Sequence, residues 1–171
     1  IKAGGQYTIT AAGADIWDDV DGMHFGYTPV KGDVEILARV ISITGGTNQW
    51  RKAGVMLRQD LSPGSWETSM LMAPYVGDPM GSASTSPWQV RPADGNPANT
   101  NTSSQRDNNL PVPYWVRITR IGNVFTGYHS PDGVNWTQEG SSWTLDMPET
   151  IFAGLCATSH NTAELTNAVI D

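Results

Sequence analysis

The 171-residue chain carries 17 Asp and Glu side chains, so the first chemical question is whether two of them could work as an acid–base pair. Cutting a glycosidic bond takes two carboxylates about 5 to 10 Å apart, one of them held protonated by its surroundings. Glu67, Glu139, Glu149 and Glu164 stand alone, and Glu35 has no acidic neighbour two residues on. Hydrolysis is therefore not the expected activity. Zinc is no better served: His24, His129 and His160 have no Cys or His partner at ligand spacing. Asp15, Asp18, Asp19 and Asp21 gather hard oxygens in one short segment, without the Gly and Glu placement of an EF-hand loop. Their expected ion is a structural calcium that braces the fold, and the competing reading is a solvated acidic loop.

Aromatic side chains offer a different chemistry. Sugar rings present apolar C–H faces that stack on indoles, while neighbouring polar groups take the hydroxyls. Trp17, Trp50, Trp66 and Trp88 fall in or beside loops, whereas Trp115, Trp136 and Trp143 sit in strand or hairpin settings and read as core. Trp66 and Trp88 flank a long loop and are the expected stacking platforms. Trp17 reads either as a packing residue or as a groove wall. His24, Arg58 and His160 each open or close an apolar segment and could converge on one sheet face, with Arg58 as the fork for an acidic sugar. The alternative, which the residues favour, is a buried network that ties Arg58 to Asp60 or to a backbone carbonyl.

Strands must position these residues. Apolar residues recur at period two between Gly, Pro, Asn and Asp, and hardly ever at three and four. The expected strands are Tyr7–Ala11, Met23–Tyr27, Asp33–Ile43, Lys52–Gln59, Glu67–Pro74, Trp88–Arg91, Tyr114–Ile121, Val124–Ser130, Thr137–Leu145, Ile151–Ser159 and Asn167–Asp171. Val34, Ile36, Ala38 and Val40 share one face, which is the core face. Ser130-Pro-Asp-Gly-Val-Asn-Trp136 reads as an Asp-box hairpin, in which Ser and Asp side chains satisfy turn amides and the indole packs beneath. Tyr75–Pro113 is rich in Gly, Pro, Ser and Asn and reads as a surface excursion. The lone Cys156 lies in an apolar run and reads as a small buried hydrophobe.

A formal net charge of −7 with no basic cluster argues against nucleic acid as a partner. No apolar run reaches the roughly 20 residues of a membrane-spanning helix. The length fits one domain, 1–171. Ending on Val169-Ile170-Asp171 in mid-strand points to a module excised from a longer protein.

Several segments, in order and spacing, resemble a bacterial and fungal family of concanavalin A-like domains of the uncharacterised DUF1349-like secreted type, related to laminin-G and glucanase sandwiches. They are Gly13-Ala-Asp-Ile-Trp17, His24-Phe-Gly-Tyr27, Gly32-Asp33, Lys52-Ala-Gly-Val-Met-Leu-Arg58, Tyr114-Trp-Val-Arg-Ile-Thr-Arg120, the hairpin 130–136 and Gly154-Leu-Cys-Ala-Thr-Ser-His160. The resemblance implies an all-β, two-sheet antiparallel jelly-roll sandwich, extracellular or on the cell surface, beside other domains of its parent chain. It also implies that a structural calcium would lie between the early acidic loop and the last strand, at Asp171. The acidic Glu-x-Asp-x-x-Glu run of the glucanases is missing. Two functions follow as expectations: a non-catalytic carbohydrate-binding accessory module that takes a polysaccharide or glycan, or a structural or adhesion module of a surface array or filament.

Overall fold

A computed structural model describes residues 2–18, 20–74, 85–91, 105–108 and 110–171. Fourteen strands and no helix occur among them, because period-two alternation is all that these segments offer. The strands are β1 (Lys2–Ala3), β2 (Gln6–Gly13), β3 (His24–Lys31), β4 (Val34–Thr44), β5 (Lys52–Arg58), β6 (Glu67–Met72) and β7 (Thr85–Arg91). They continue as β8 (Gln105–Asn108), β9 (Tyr114–Ile121), β10 (Val124–Ser130), β11 (Thr137–Gln138), β12 (Trp143–Thr144), β13 (Thr150–Thr158) and β14 (Asn161–Ile170). One sheet runs β1-β2-β14-β4-β9-β10-β11 with β12 also on β10, and the other runs β3-β13-β5-β6-β7-β8. The ladders are antiparallel. The expected two-sheet jelly-roll sandwich is the observed fold.

The inner faces meet in one core. Val40, Val116, Ile118, Phe125 and Ile170 of the first sheet face Val55, Leu57, Met70, Trp88, Val90 and Ile151 of the second. Trp88 is fully buried there, with its Nε1 donating to Ser141 O at 3.2 Å. It is therefore a core residue and not the exposed platform expected from its place beside a loop. Trp66 is half-buried and packs against the same core. Most of the expected excursion lies outside the described residues, yet β7 and β8 add two strands to the edge of the second sheet within it.

Other expectations change in detail. The single strand foreseen over Thr137–Leu145 is two short pieces, β11 and β12, on either side of a left-handed Gly140. In the Asp box, Ser130 Oγ accepts from the amides of Asp132 and Gly133, and Asp132 Oδ1 accepts from those of Val134 and Asn135. These amide donors hold the Asp132 carboxyl well below the usual range. Of the hairpin indoles, Trp143 packs on the core, while Trp136 lies against the Arg117 guanidinium, 4.3 Å from the ring centroid.

Candidate functional site

Two glycines form the neck of the loop that builds the site. A Cβ on Gly13 would lie 1.9 Å from the Gly22 carbonyl oxygen, and one on Gly22 would lie 2.7 Å from the Ala14 nitrogen. Gly22 N donates to Asp15 O at 2.7 Å, and Thr158 Oγ1 donates to Gly22 O at 2.7 Å. Residues 14–18 and 20–21 thus leave and re-enter the fold at one point, as an Ω-loop does. They lie over the outer face of the second sheet. Cross-strand register gives that face Lys52, Met56 and Arg58 of β5, Glu67, Ser69 and Leu71 of β6, and Gln89 and Arg91 of β7. Ile16 fixes the loop by packing on Met56, Leu71 and Cys156, with Met23 and Phe25 at the rim. Burial in this layer pushes the Cys156 thiol well above its ordinary pKa, so it is the inert hydrophobe its setting foretold.

The far end of the loop is closed by charge. Asp21 sits between Arg58 and Arg91: its Oδ2 is 3.1 Å from Arg58 Nη1 and 2.9 Å from Arg91 Nη1, and its Oδ1 pairs with Arg91 Nη2. Arg91 Nε also donates to Asp18 O at 2.8 Å, and Arg58 Nε donates to Asp60 O at 2.7 Å. Glu67 lies between the two arginines in the ladder and is fully buried. Burial first, then the nearby Asp21 charge, raises its pKa from the usual 4.5 to about 7, against the pull of Arg91. Arg58, 2% exposed, is the buried network residue that the sequence favoured and is no fork for a sugar acid.

The near end is open. Asp15 Oδ1 is 2.7 Å from Lys52 Nζ and accepts from Ile16 N at 2.7 Å, and its Oδ2 is 3.0 Å from His160 Nε2. These side chains line one wall of a cavity of about 300 Å³. Trp17, Trp50, Pro87 and Gln89 complete it. Trp50 is placed by Asn48, whose Oδ1 accepts from Trp50 N at 2.8 Å and whose Nδ2 donates to His160 O at 3.1 Å. His160 itself turns the corner from β13 to β14 with a φ of 54°, a left-handed conformation that His tolerates better than bulky residues do. Gln89 is 1% exposed; its Nε2 donates to Ile16 O at 3.3 Å, and its Oε1 has no hydrogen-bond partner. Because Ile16 O can only accept, the amide is fixed with its carbonyl as the unused group.

Of the expected ligand residues, the cavity unites Trp17 and His160. His24 lies elsewhere: it pairs with Ala157 and shares the inner-face parity of Ala53, opposite to that of Arg58. Sequence reading missed Trp50, Lys52 and Gln89 as a set. The one available signal was parity, since Lys52 alternates in step with Arg58 along β5, as Gln89 does with Arg91 along β7.

Among the described residues, the acidic side chains expected to hold calcium do not converge on one point. Asp15 and Asp21 are neutralised by the cations just described, and Asp171 is held by Arg39 through two hydrogen bonds of 3.0 and 2.6 Å in the other sheet. Arg39 keeps the Asp171 carboxyl below its usual pKa. Asp18 has an exposed side chain and a φ of 52°, and Asp19 lies outside the described residues. Among the described residues no three acidic, His or Cys side chains are placed to share an ion. Asp15 is also the single carboxylate that lines the cavity among the described residues.

No protein-family model and no curated protein matches the chain. Solved structures do. A functionally unknown protein from Saccharomyces cerevisiae superposes with a TM-score of 0.66 at 16% identity, over 100% of this chain and 87% of that one. The GH43 protein BlXynB of Bacillus licheniformis gives 0.62 at 8% identity, over 97% of this chain and 32% of its own. The Xyloglucan PUL GH43B of Bacteroides ovatus gives 0.60 at 12% identity, over 99% and 33%. At these identities the likeness is one of fold, the two-sheet sandwich, and this chain spans about a third of the length of each GH43 protein.

Proposed function

We propose that this chain is a non-catalytic carbohydrate-binding module of an extracellular or cell-surface protein, and that the glycan binds in the Trp17–Trp50 cavity. The observation that carries this reading is the combination in one cavity of two half-buried indoles, Trp17 and Trp50, with the polar side chains of Asp15, Lys52 and His160. Indoles supply the apolar faces on which sugar rings stack, and fixed polar groups select hydroxyls. The occurrence of the same fold as a third of two GH43 proteins, one of them named for a xyloglucan PUL, supports an accessory place beside other domains.

A glycan array followed by tryptophan-fluorescence titration tests the proposal. Saturable binding is expected, and Trp17→Ala or Trp50→Ala should weaken it at least tenfold, with the fold retained. Absence of binding to every glycan, or equal binding by both variants, contradicts it.

One observation favours the second reading, a structural or adhesion module. A groove of about 1000 Å³ opens between the sheets, with Ile9, Val30, Val34, Ile36 and Leu155 among its lining residues. If the groove is an interface, sedimentation should show association that depends on protein concentration and is lost in Ile36→Lys.

A further inference from the structure

We infer that the cavity takes one terminal sugar of an uncharged glycan chain, and not an internal stretch of that chain; this rests on the glycan-binding reading above. An open concave sheet would let a polysaccharide lie along it. Here the Ω-loop crosses that face. Ile16, Met56, Leu71 and Cys156 are fully buried beneath or within it, and beyond them Glu67, Arg58 and Arg91 are at most 2% exposed. The cavity is thus closed on the side toward β5–β7's charged end, and the wall that closes it carries Trp17. A chain that entered would stop there.

Size and charge narrow the ligand further. At about 300 Å³ the cavity is at the small end of the range for ligand sites, which is roughly 300 to 1,000 Å³. Its charges are already matched to one another: Asp15 faces both Lys52 and His160. An acidic or basic sugar would have to displace one of these partners, whereas a neutral ring leaves them in place.

The test uses linear neutral oligosaccharides of one to six residues from whichever linkage the array selects. Each is titrated calorimetrically against the whole chain, and so is the same sugar blocked by O-methylation at its non-reducing end or reduced to the alditol at its other end. Expected are dissociation constants that stay within about threefold from two residues to six, and loss of at least a hundredfold on one of the two end modifications. Trp17→Ala should weaken binding at least tenfold; if that variant does not fold, Trp50→Ala carries the same comparison. Affinity that climbs with every added residue, or that survives both end modifications, overturns terminal recognition and leaves the glycan-binding reading standing. Failure of every glycan to bind removes both.

Discussion

The Ω-loop delivers an aspartate to each end of one sheet face, and the two ends have opposite characters. At the far end, Asp21 meets Arg58 and Arg91 with side chains at 2%, 3% and 0% exposure. At the near end, Asp15 meets Lys52 and His160 at 20%, 4% and 30%. The first cluster is sealed under the loop and gains only a fixed backbone. The second faces a cavity lined by two indoles. Buried ion pairs can hold a loop, but a recognition site needs polar groups that solvent and ligand can reach.

That contrast can be broken from either end. Trp88→Ala empties the core behind the face and should destabilise the protein by about 3–5 kcal/mol, measured by urea unfolding. Asp21→Ala strands two buried guanidinium groups and should cost about 3–5 kcal/mol by the same measurement. Because the loop carries Trp17 and Asp15, this variant should also lose glycan binding. Gly13→Ala tests the neck: a Cβ directed at the Gly22 carbonyl cannot be accommodated without moving backbone, at the upper end of the about 1–3 kcal/mol typical of overpacking.

Smaller in size is the pH dependence of the sealed end. Glu67 has a raised pKa in the folded state, so the fold binds its proton more tightly than the unfolded chain does. Its contribution to stability is complete below pH 4.5 and is lost as pH rises through about 7. Unfolding free energy should therefore fall across that window, and Glu67→Gln should flatten the slope. An unchanged slope in the variant would place the titration elsewhere.

The fold was largely legible because most strands alternate cleanly. Val34, Ile36, Ala38 and Val40 do face the core as their spacing required, though the two nearest the β4 start are only partly covered. The flanking loops make Trp88 look exposed, although Trp88 and Val90 alternate with Pro87, Gln89 and Arg91 in a pattern that already separates core from face. The site was less legible for a physical reason. Asp21 and Arg91 are far apart in sequence, and no local spacing shows that they meet. Likewise His24 and Arg58 could share a face only in a register that the sequence does not state, and the ladder through β13 puts them on opposite ones.

The most direct test of the central claim is the set of indole N–H signals in a proton–nitrogen NMR spectrum, since the chain has seven tryptophans in distinct settings. On titration with the glycan that the array selects, the account predicts that the Trp17 and Trp50 signals shift with saturation while Trp88 stays fixed. Shifts confined to Trp115 and Trp136 on the other sheet would contradict it.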